Sequence, residues 1–364
     1  MQSLIKSIQT PNKPCIHPWF YLWINAAGDA TICPQNKIRL GSLEDSSFDE
    51  IWNSEKIKDI RDNFLNEKYE EAGCERECPY LRGVYKHAEQ NIPVEELIFP
   101  DIKISELNKK SLAYENITQA ITEYKSEVLE VSSSPSVFDS QSILSCNADC
   151  IMCGQPHMSK LKHSAVVQDK ITQASKSLSS LRWQGGEVFL DQGFVDNLEE
   201  VSNTSHDKLL KIIITNGSLL NKNLVDQIVA MKGNVKFIIS MDGASKDVVD
   251  KIRYKLKYEK ILDSLTILAN KQKSMSRDDM VMWNYTLMKS NISEVSLAIK
   301  VAKELGIHVN FAAIQGRHPE ENFFEYPLVD SQEWKNYLAL WREESADATI
   351  KISGFEGLAS RYSF

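Results

Sequence analysis

Three thiols fall within eight residues in Cys146-Asn147-Ala148-Asp149-Cys150-Ile151-Met152-Cys153. Thiolates this close can hold an iron–sulfur cluster or a zinc ion. Three protein ligands leave one iron of a four-iron cluster open to another group. A zinc site needs a fourth side chain, and His157 stands close by. The other four cysteines, Cys15, Cys33, Cys74 and Cys78, occupy the first 82 residues and suffice for a fully ligated cluster or a structural zinc. Seven is an odd count that divides more naturally into four and three than into pairs. Metal or redox roles in a reducing, cytoplasmic setting are therefore expected over disulfides.

The elements that position these residues alternate. Ser136 to Leu144 reads as a strand from its partial alternation and β-branched content, so the triple-cysteine loop follows a strand end. Further strands are expected at 181–184, 209–214, 235–240, 280–287 and 308–314. Helices are expected between them at 167–178, 194–201, 219–231, 246–252, 258–270 and 292–305. This βαβα pattern predicts an α/β fold with a parallel sheet. Glycine turns close three of the strands, as Gly185-Gly186-Glu187, Thr215-Asn216-Gly217 and Ser240-Met241-Asp242-Gly243. The C-terminal strand ends are where such sheets gather their chemistry.

Upstream, Trp23 to Cys33 reads as a hairpin turning at Gly28-Asp29, which brings Cys15 and Cys33 together. A helix capped by Ser46 or Ser47 is expected to run on through Arg61. Residues 83–135 read as a helical connector, with helices at 95–98 and 112–129. Residues 317–364 read as a C-terminal extension or a lid, with a helix at 333–341.

The whole chain of 364 residues is 42% hydrophobic and 25% charged, an ordinary globular composition. A net charge of −8 argues against a general nucleic-acid or anionic-membrane binder. No apolar run reaches membrane-spanning length, and Met1 to Lys6 lacks a signal-peptide core.

The C-x3-C-x2-C loop at Cys146, Cys150 and Cys153 resembles the signature of the radical S-adenosylmethionine (radical SAM) superfamily. The resemblance implies a partial (β/α)6 barrel over 136–316, with a 4Fe–4S cluster whose open iron is chelated by the amino and carboxylate groups of SAM. It implies SAM contacts by the Gly185 and Gly186 backbone, and a hydrogen-bonding role for Glu187 toward the SAM ammonium, although Val188 replaces the frequent Pro. Ser240 and Asp242 match a step that commonly contacts SAM, and Arg253 matches an Arg that can pair with its carboxylate. Asn216 fits the pattern after the third strand, Met152 the position packed near adenine, and Gln315 and Gly316 the backbone that meets adenine.

Residues 1–82 resemble the SPASM or twitch auxiliary-cluster domains that accompany many such enzymes. Cys15-Ile16-His17-Pro18-Trp19, the Gly28 to Cys33 step, Leu40-Gly41-Ser42-Leu43, Glu50-Ile51-Trp52-Asn53, Arg61 and Cys74-x3-Cys78-Pro79 carry the match. The domain precedes the radical SAM loop here, whereas the commonest order places it after. Four cysteines supply one auxiliary 4Fe–4S cluster, where full SPASM domains hold two.

The activity implied is reductive cleavage of SAM to a 5′-deoxyadenosyl radical that takes hydrogen from an unactivated C–H bond. Four plus three cysteines use the whole supply, so no free thiol remains as a hydrogen donor and the auxiliary cluster has no open iron for substrate. Its expected part is electron transfer, with purely structural support as the alternative. The substrate is a small metabolite or a peptide. With only 14 residues before Cys15, a peptide would be recognised through a separate protein. The electron donor is expected to be a flavodoxin or ferredoxin. The alternative from another class is a zinc-stabilised, non-catalytic binding module on the same fold.

Overall fold

A computed structural model describes residues 15–75, 78, 81, 104–156 and 158–364. The chain enters through helix α1 (His17–Phe20) and then forms strands β1 (Tyr21–Ile24), β2 (Asp29–Thr31) and β3 (Gly41–Ser42). β1 and β2 pair antiparallel with Trp23 opposite Thr31. Their turn is built by the Asn25 side chain, which accepts from the backbone N–H of Ala27 and Asp29 at 2.9 Å each. Gly28 takes the left-handed conformation there, φ +83°.

The next segment departs from the sequence reading. In place of one continuous helix there are two, α2 (Phe48–Trp52) and α3 (Glu55–Leu65). Ser47 and Glu50 form a reciprocal capping box at the start of α2. The break falls at Asn53, whose side chain bonds both backbone groups of Val131, at 2.8 and 3.0 Å. Ser54 is extended, with ψ 155°. A side chain pledged to a distant backbone competes with helix continuation. Helix α4 (Leu112–Lys125) also ends before the expected Leu129, and Glu127 adopts φ +58°. The helix expected at 95–98 lies outside the described residues.

The remainder follows the expected alternation. In order come β4 (Val137–Ile143), β5 (Asp149–Cys150), α5 (Ala165–Ala174), β6 (Ser180–Gly185), α6 (Phe194–Thr204), β7 (Leu210–Thr215), α7 (Lys222–Ala230) and β8 (Asn234–Ser240). Then follow α8 (Lys246–Ile252), β9 (Arg253–Tyr254), α9 (Tyr258–Ser274), β10 (Val281–Leu287), α10 (Val295–Leu305), β11 (His308–Ala313), α11 (Ser331–Ser345), β12 (Ile352–Ser353) and α12 (Phe355–Arg361).

Ten strands form one sheet in the order β12-β11-β10-β8-β7-β6-β4-β1-β2-β3, with every neighbour from β12 to β1 parallel. The six units β4, β6, β7, β8, β10 and β11 supply the partial barrel. β1, from the cysteine-rich segment, pairs in parallel along β4, from Tyr21 opposite Val137 to Ile24 opposite Ser140. That segment therefore extends the barrel sheet and covers the edge β4 would expose. The C-terminal extension also joins, through β12 beside β11.

One face of the sheet packs under helices. Phe138, Leu181, Ile213, Phe237, Trp283 and Val309 are buried there together with Trp19, Phe20 and Leu22 of the N-terminal segment. Burying each such side chain contributes roughly 1.5–3 kcal/mol. The opposite face is concave and only partly filled, by Leu210, Ile212 and Ile238 with Ile214 and Met282 against them. β10 shows the division directly: Val281, Trp283, Tyr285 and Leu287 are buried, while Met282, Asn284 and Thr286 are half-buried.

Candidate functional site: two cysteine sets on one sheet

β4 delivers the chain to the triple-cysteine loop, which two clamps hold. On one side Leu144 N–H donates to Leu161 O and His163 N–H to Ser142 O. On the other, β5 pairs antiparallel with β9, setting Cys150 opposite Arg253, and Ile151 N–H donates to Ile252 O at 3.0 Å. Cys146 and Cys150 are half-buried and Cys153 is exposed. Burial raises the Cys146 thiol above its ordinary value and pushes Cys150 to about 11. Both are thiols at neutral pH until a bound cation draws off the proton.

The three cysteines open onto a cavity of about 240 Å³ at the C-terminal ends of the strands, lined also by Met152, Gly185, Gly186, Asn216, Ser240 and Arg253. Glu187 and Asp242, both singled out in the sequence, do not line it. Glu187 is fully buried. Its carboxylate accepts from Thr215 Oγ1 at 2.7 Å, from Asn216 N–H at 2.8 Å and from Phe189 N–H at 3.3 Å. Asp242, also fully buried, accepts from Thr286 N–H at 2.7 Å, and its Oδ2 lies 2.7 Å from Arg253 Nη2. Burial raises the Glu187 carboxyl, and the Thr215 and Asn216 donors oppose the rise.

The paired glycines serve a close backbone approach. A Cβ on Gly185 (φ +149°) would stand 2.0 Å from Ile143 O, and one on Gly186 would stand 2.0 Å from Ser145 O. The backbone they meet is the start of the cysteine loop, to which Gly186 N–H and Glu187 N–H donate at 2.8 Å.

Asn147, inside the motif, escaped the sequence reading. Its side chain accepts from Asn216 Nδ2 at 2.8 Å and donates to Ser218 Oγ at 2.9 Å, tying the loop to the end of β7. Its place between Cys146 and Ala148 was the available signal. A second missed group lies on the concave face, where Tyr21 Oη donates to Asp139 Oδ2 at 2.5 Å and Arg182 Nη1 stands 3.3 Å from the same oxygen. Strand alternation with Gln141 could have revealed Asp139. Gln315 and Gly316 do not line the cavity: Gln315 Oε1 accepts from Gln35 at 3.4 Å, and Gly316 O accepts from Asn322 at 2.9 Å.

The four upstream cysteines gather at the opposite strand end. Cys15 precedes β1, and Cys33 follows the antiparallel β2. Asn36 Nδ2 donates to Ala72 O at 2.8 Å, and Lys37 N–H to Gly73 O at 3.0 Å, joining the Cys33 turn to the turn that bears Cys74. Burial raises Cys15, Cys33 (to about 11) and Cys74 (to about 12), and neighbouring thiols of the same set push each one further. Arg61 locks the base of this region. It is fully buried, lies 4.9 Å from the Trp52 ring, and donates to the carbonyls of Pro18, Leu129 and Trp52.

Comparison with known proteins agrees with this layout. The model of the radical SAM superfamily matches residues 141–294, and that of the SPASM iron–sulfur cluster-binding domain matches residues 15–79. The chain carries a radical SAM domain. Its SPASM domain precedes the radical SAM domain. The AdoMet-dependent heme synthase of Methanosarcina barkeri (strain Fusaro / DSM 804) is 24% identical over 245 residues, covering 58% of this chain and 67% of the relative. SuiB of Streptococcus suis shares the fold at TM-score 0.50 and 14% identity, over 75% of this chain and 64% of SuiB. SuiB bound to its precursor peptide SuiA matches at TM-score 0.50 and 12% identity, over 75% and 61%. The chain thus spans less than two thirds of the length of these solved structures.

A radical SAM domain implies a 4Fe–4S cluster and SAM, and a SPASM domain implies auxiliary iron–sulfur chemistry. The residues fit. Three thiols front a recess whose remaining lining is glycine backbone, amide, hydroxyl, guanidinium, the apolar Ala148, Met152 and Ile214, and one carboxylate, Asp149. Among the described residues no three His, Cys, Asp or Glu side chains converge as ligands of one metal ion would. A mononuclear site with metal–sulfur bonds of about 2.3 Å needs tighter convergence than a cluster of several irons. His157 lies outside the described residues. No described helix is long and apolar enough to cross a membrane.

Proposed function

We propose that this protein cleaves SAM reductively and abstracts hydrogen from an unactivated C–H bond of a small metabolite or peptide. The observation that carries the reading is the recess at the strand ends, where Cys146, Cys150 and Cys153 face Gly185, Gly186, Asn216, Ser240 and Arg253. When bound, cluster and SAM together supply the hydrogen-abstracting 5′-deoxyadenosyl radical, with the electron from a flavodoxin- or ferredoxin-type donor. The chain's share is to orient and to exclude water. Asn147 and Asn216 fix the loop against β7, the two glycines fix it against β6, and Met152 with Ile214 gives the recess an apolar side.

Cys15, Cys33, Cys74 and Cys78 would hold an auxiliary 4Fe–4S cluster, which would supply an electron acceptor for oxidation of the product radical. Two things support this role. Four protein thiols leave that cluster no open iron. The two cysteine sets also lie toward opposite ends of β4, a separation on the order of 20 Å for a seven-residue strand. Substrate on the concave face then sits between them, beside Asp139 and Arg182. The heme synthase is named for a small-molecule product and SuiB is seen with a peptide, so both substrate classes stay in the proposal.

The test is anaerobic reconstitution of the full chain and of the Cys146→Ala, Cys150→Ala, Cys153→Ala triple variant. The wild type should bind about eight irons, the variant about four. Only the wild type should release 5′-deoxyadenosine from SAM under dithionite. SAM cleavage by the variant, or zinc in a colourless wild type, would overturn the assignment.

A further inference from the structure

Arg253 and Asp242 form a buried pair whose two charges stand at unequal depth beside the cysteine loop. Arg253 is 7% exposed and lines the recess. β9 sets it opposite Cys150 of β5. Its Nη2 lies 2.7 Å from Asp242 Oδ2, and its Nη1 turns to Cys150 Sγ at 4.0 Å. Asp242 stands behind it, away from the recess, fully buried and pinned by Thr286 N–H. Asn291 Nδ2 holds the same residue's carbonyl at 3.1 Å. The positive end of the pair therefore meets a ligand sulfur, and the negative end is one side chain deeper.

The guanidinium cannot lose its proton in a protein, so its charge persists however the cluster is loaded. Adding an electron to a cluster makes it more negative. A fixed positive charge at a ligand sulfur favours that form, and hydrogen bonds to sulfur act in the same direction. Burial strengthens both effects, because little water screens the field.

We propose that Arg253 and Asp242 together set the reduction potential of the cluster held by Cys146, Cys150 and Cys153, Arg253 raising it and Asp242 moderating the rise. This rests on the cluster assignment made above, and it gives Arg253 a task besides pairing with the SAM carboxylate. Arg253 thereby acts on the cluster at Cys150, while Asp242, one side chain deeper, opposes it with a negative charge.

Charge arithmetic supplies the test. The wild-type pair is neutral overall, Arg253→Gln removes the positive member, Asp242→Asn removes the negative one, and the double variant removes both. Full-length protein, reconstituted anaerobically, is titrated with dithionite and followed by electron paramagnetic resonance. The loop cluster is recognised by the change SAM causes in its signal, and the auxiliary cluster serves as internal reference. We expect Asp242→Asn to move the loop-cluster potential up and Arg253→Gln to move it down. The double variant should fall between them, and the auxiliary potential should stay fixed. Arg253→Lys, which keeps the charge, should shift less than Arg253→Gln. Shifts of the same sign in both single variants, no shift in either, or a Lys shift as large as the Gln shift would sink the proposal and leave the pair a tether. If Arg253→Gln fails to hold a cluster, Asp242→Asn decides alone, an upward shift supporting the proposal and no shift or a downward one overturning it. A wild type with no SAM-responsive cluster would overturn the functional reading itself, a different failure from unshifted potentials.

Discussion

Replacing Glu187 by Gln separates two ways this acid could serve the site. The carboxylate accepts three bonds, two of them from backbone N–H groups of Asn216 and Phe189. A Gln amide keeps one oxygen, so in either orientation its amine faces at least one of those N–H donors. A buried donor left unmatched costs about 1–3 kcal/mol, and the surviving bonds weaken from charge-assisted to neutral. Relief of the buried charge offsets part of this, leaving a net loss of about 1–3 kcal/mol and a Tm lower by several degrees. Glu187 does not line the recess, so SAM affinity should weaken less than about tenfold, through loosened Asn216. A direct bond to the SAM ammonium predicts the reverse pattern: a stability barely altered and a Kd roughly ten- to hundredfold weaker. Calorimetric binding and thermal melts on reconstituted protein distinguish the two. An unchanged Tm with a tenfold or greater loss of SAM binding would refute the anchoring role.

Gly186→Ala should drive a methyl into Ser145 O, displacing the chain just before Cys146. Iron bound at the loop should fall while the auxiliary iron stays, and an unchanged iron content with an unchanged Tm would count against the close approach. Buried His163 has its pKa lowered to about 4 by desolvation, while its Nε2 meets Asn25 O at 2.9 Å. The unfolded chain takes up that proton near pH 6.5, so stability present above that pH should drain as pH falls toward 4, by roughly 3 kcal/mol in all. Denaturant midpoints across that window should show the slope, and His163→Gln should flatten it. Replacing Cys74 and Cys78 by Ala should leave SAM cleavage detectable while formation of the oxidised product is lost. Circular dichroism and iron content must first show a folded variant holding the loop cluster, and product at the wild-type ratio to 5′-deoxyadenosine would reduce the domain to scaffolding.

What the sequence revealed is what depends on local pattern. The β-branched runs at 209–214 and 235–240 gave their strands, and the glycine turns after them placed Asn216 and Ser240 at the recess. What it hid depends on pairing across long separations. Helical periodicity carries no sign that Asn53 is pledged to Val131, so the break between α2 and α3 was invisible. Motif matching gave Gly185, Gly186 and Glu187 as neighbours of a cofactor. It could not show that the glycines meet Ile143 and Ser145, or that Glu187 turns inward to Thr215. Asp242 shows the same limit, since its partner Arg253 was read separately, as a contact for SAM.

The unusual order of the two domains follows from the same distinction between chain position and position in the sheet. An auxiliary cluster that exchanges electrons with the barrel needs to be near it, wherever its residues fall in sequence. Here β1 reaches that place by pairing with β4, bridging more than a hundred intervening residues to set Tyr21 opposite Val137. The pairing also answers a stability need, because β4 would otherwise end the parallel sheet with unpaired backbone. The contact that completes the sheet thus also sets the auxiliary cysteines at the foot of the concave face, with Tyr21 reaching Asp139 across the junction. An auxiliary segment placed after the barrel could fill the same edge. The fold constrains which strand is covered, and leaves open whether the covering strand comes first or last.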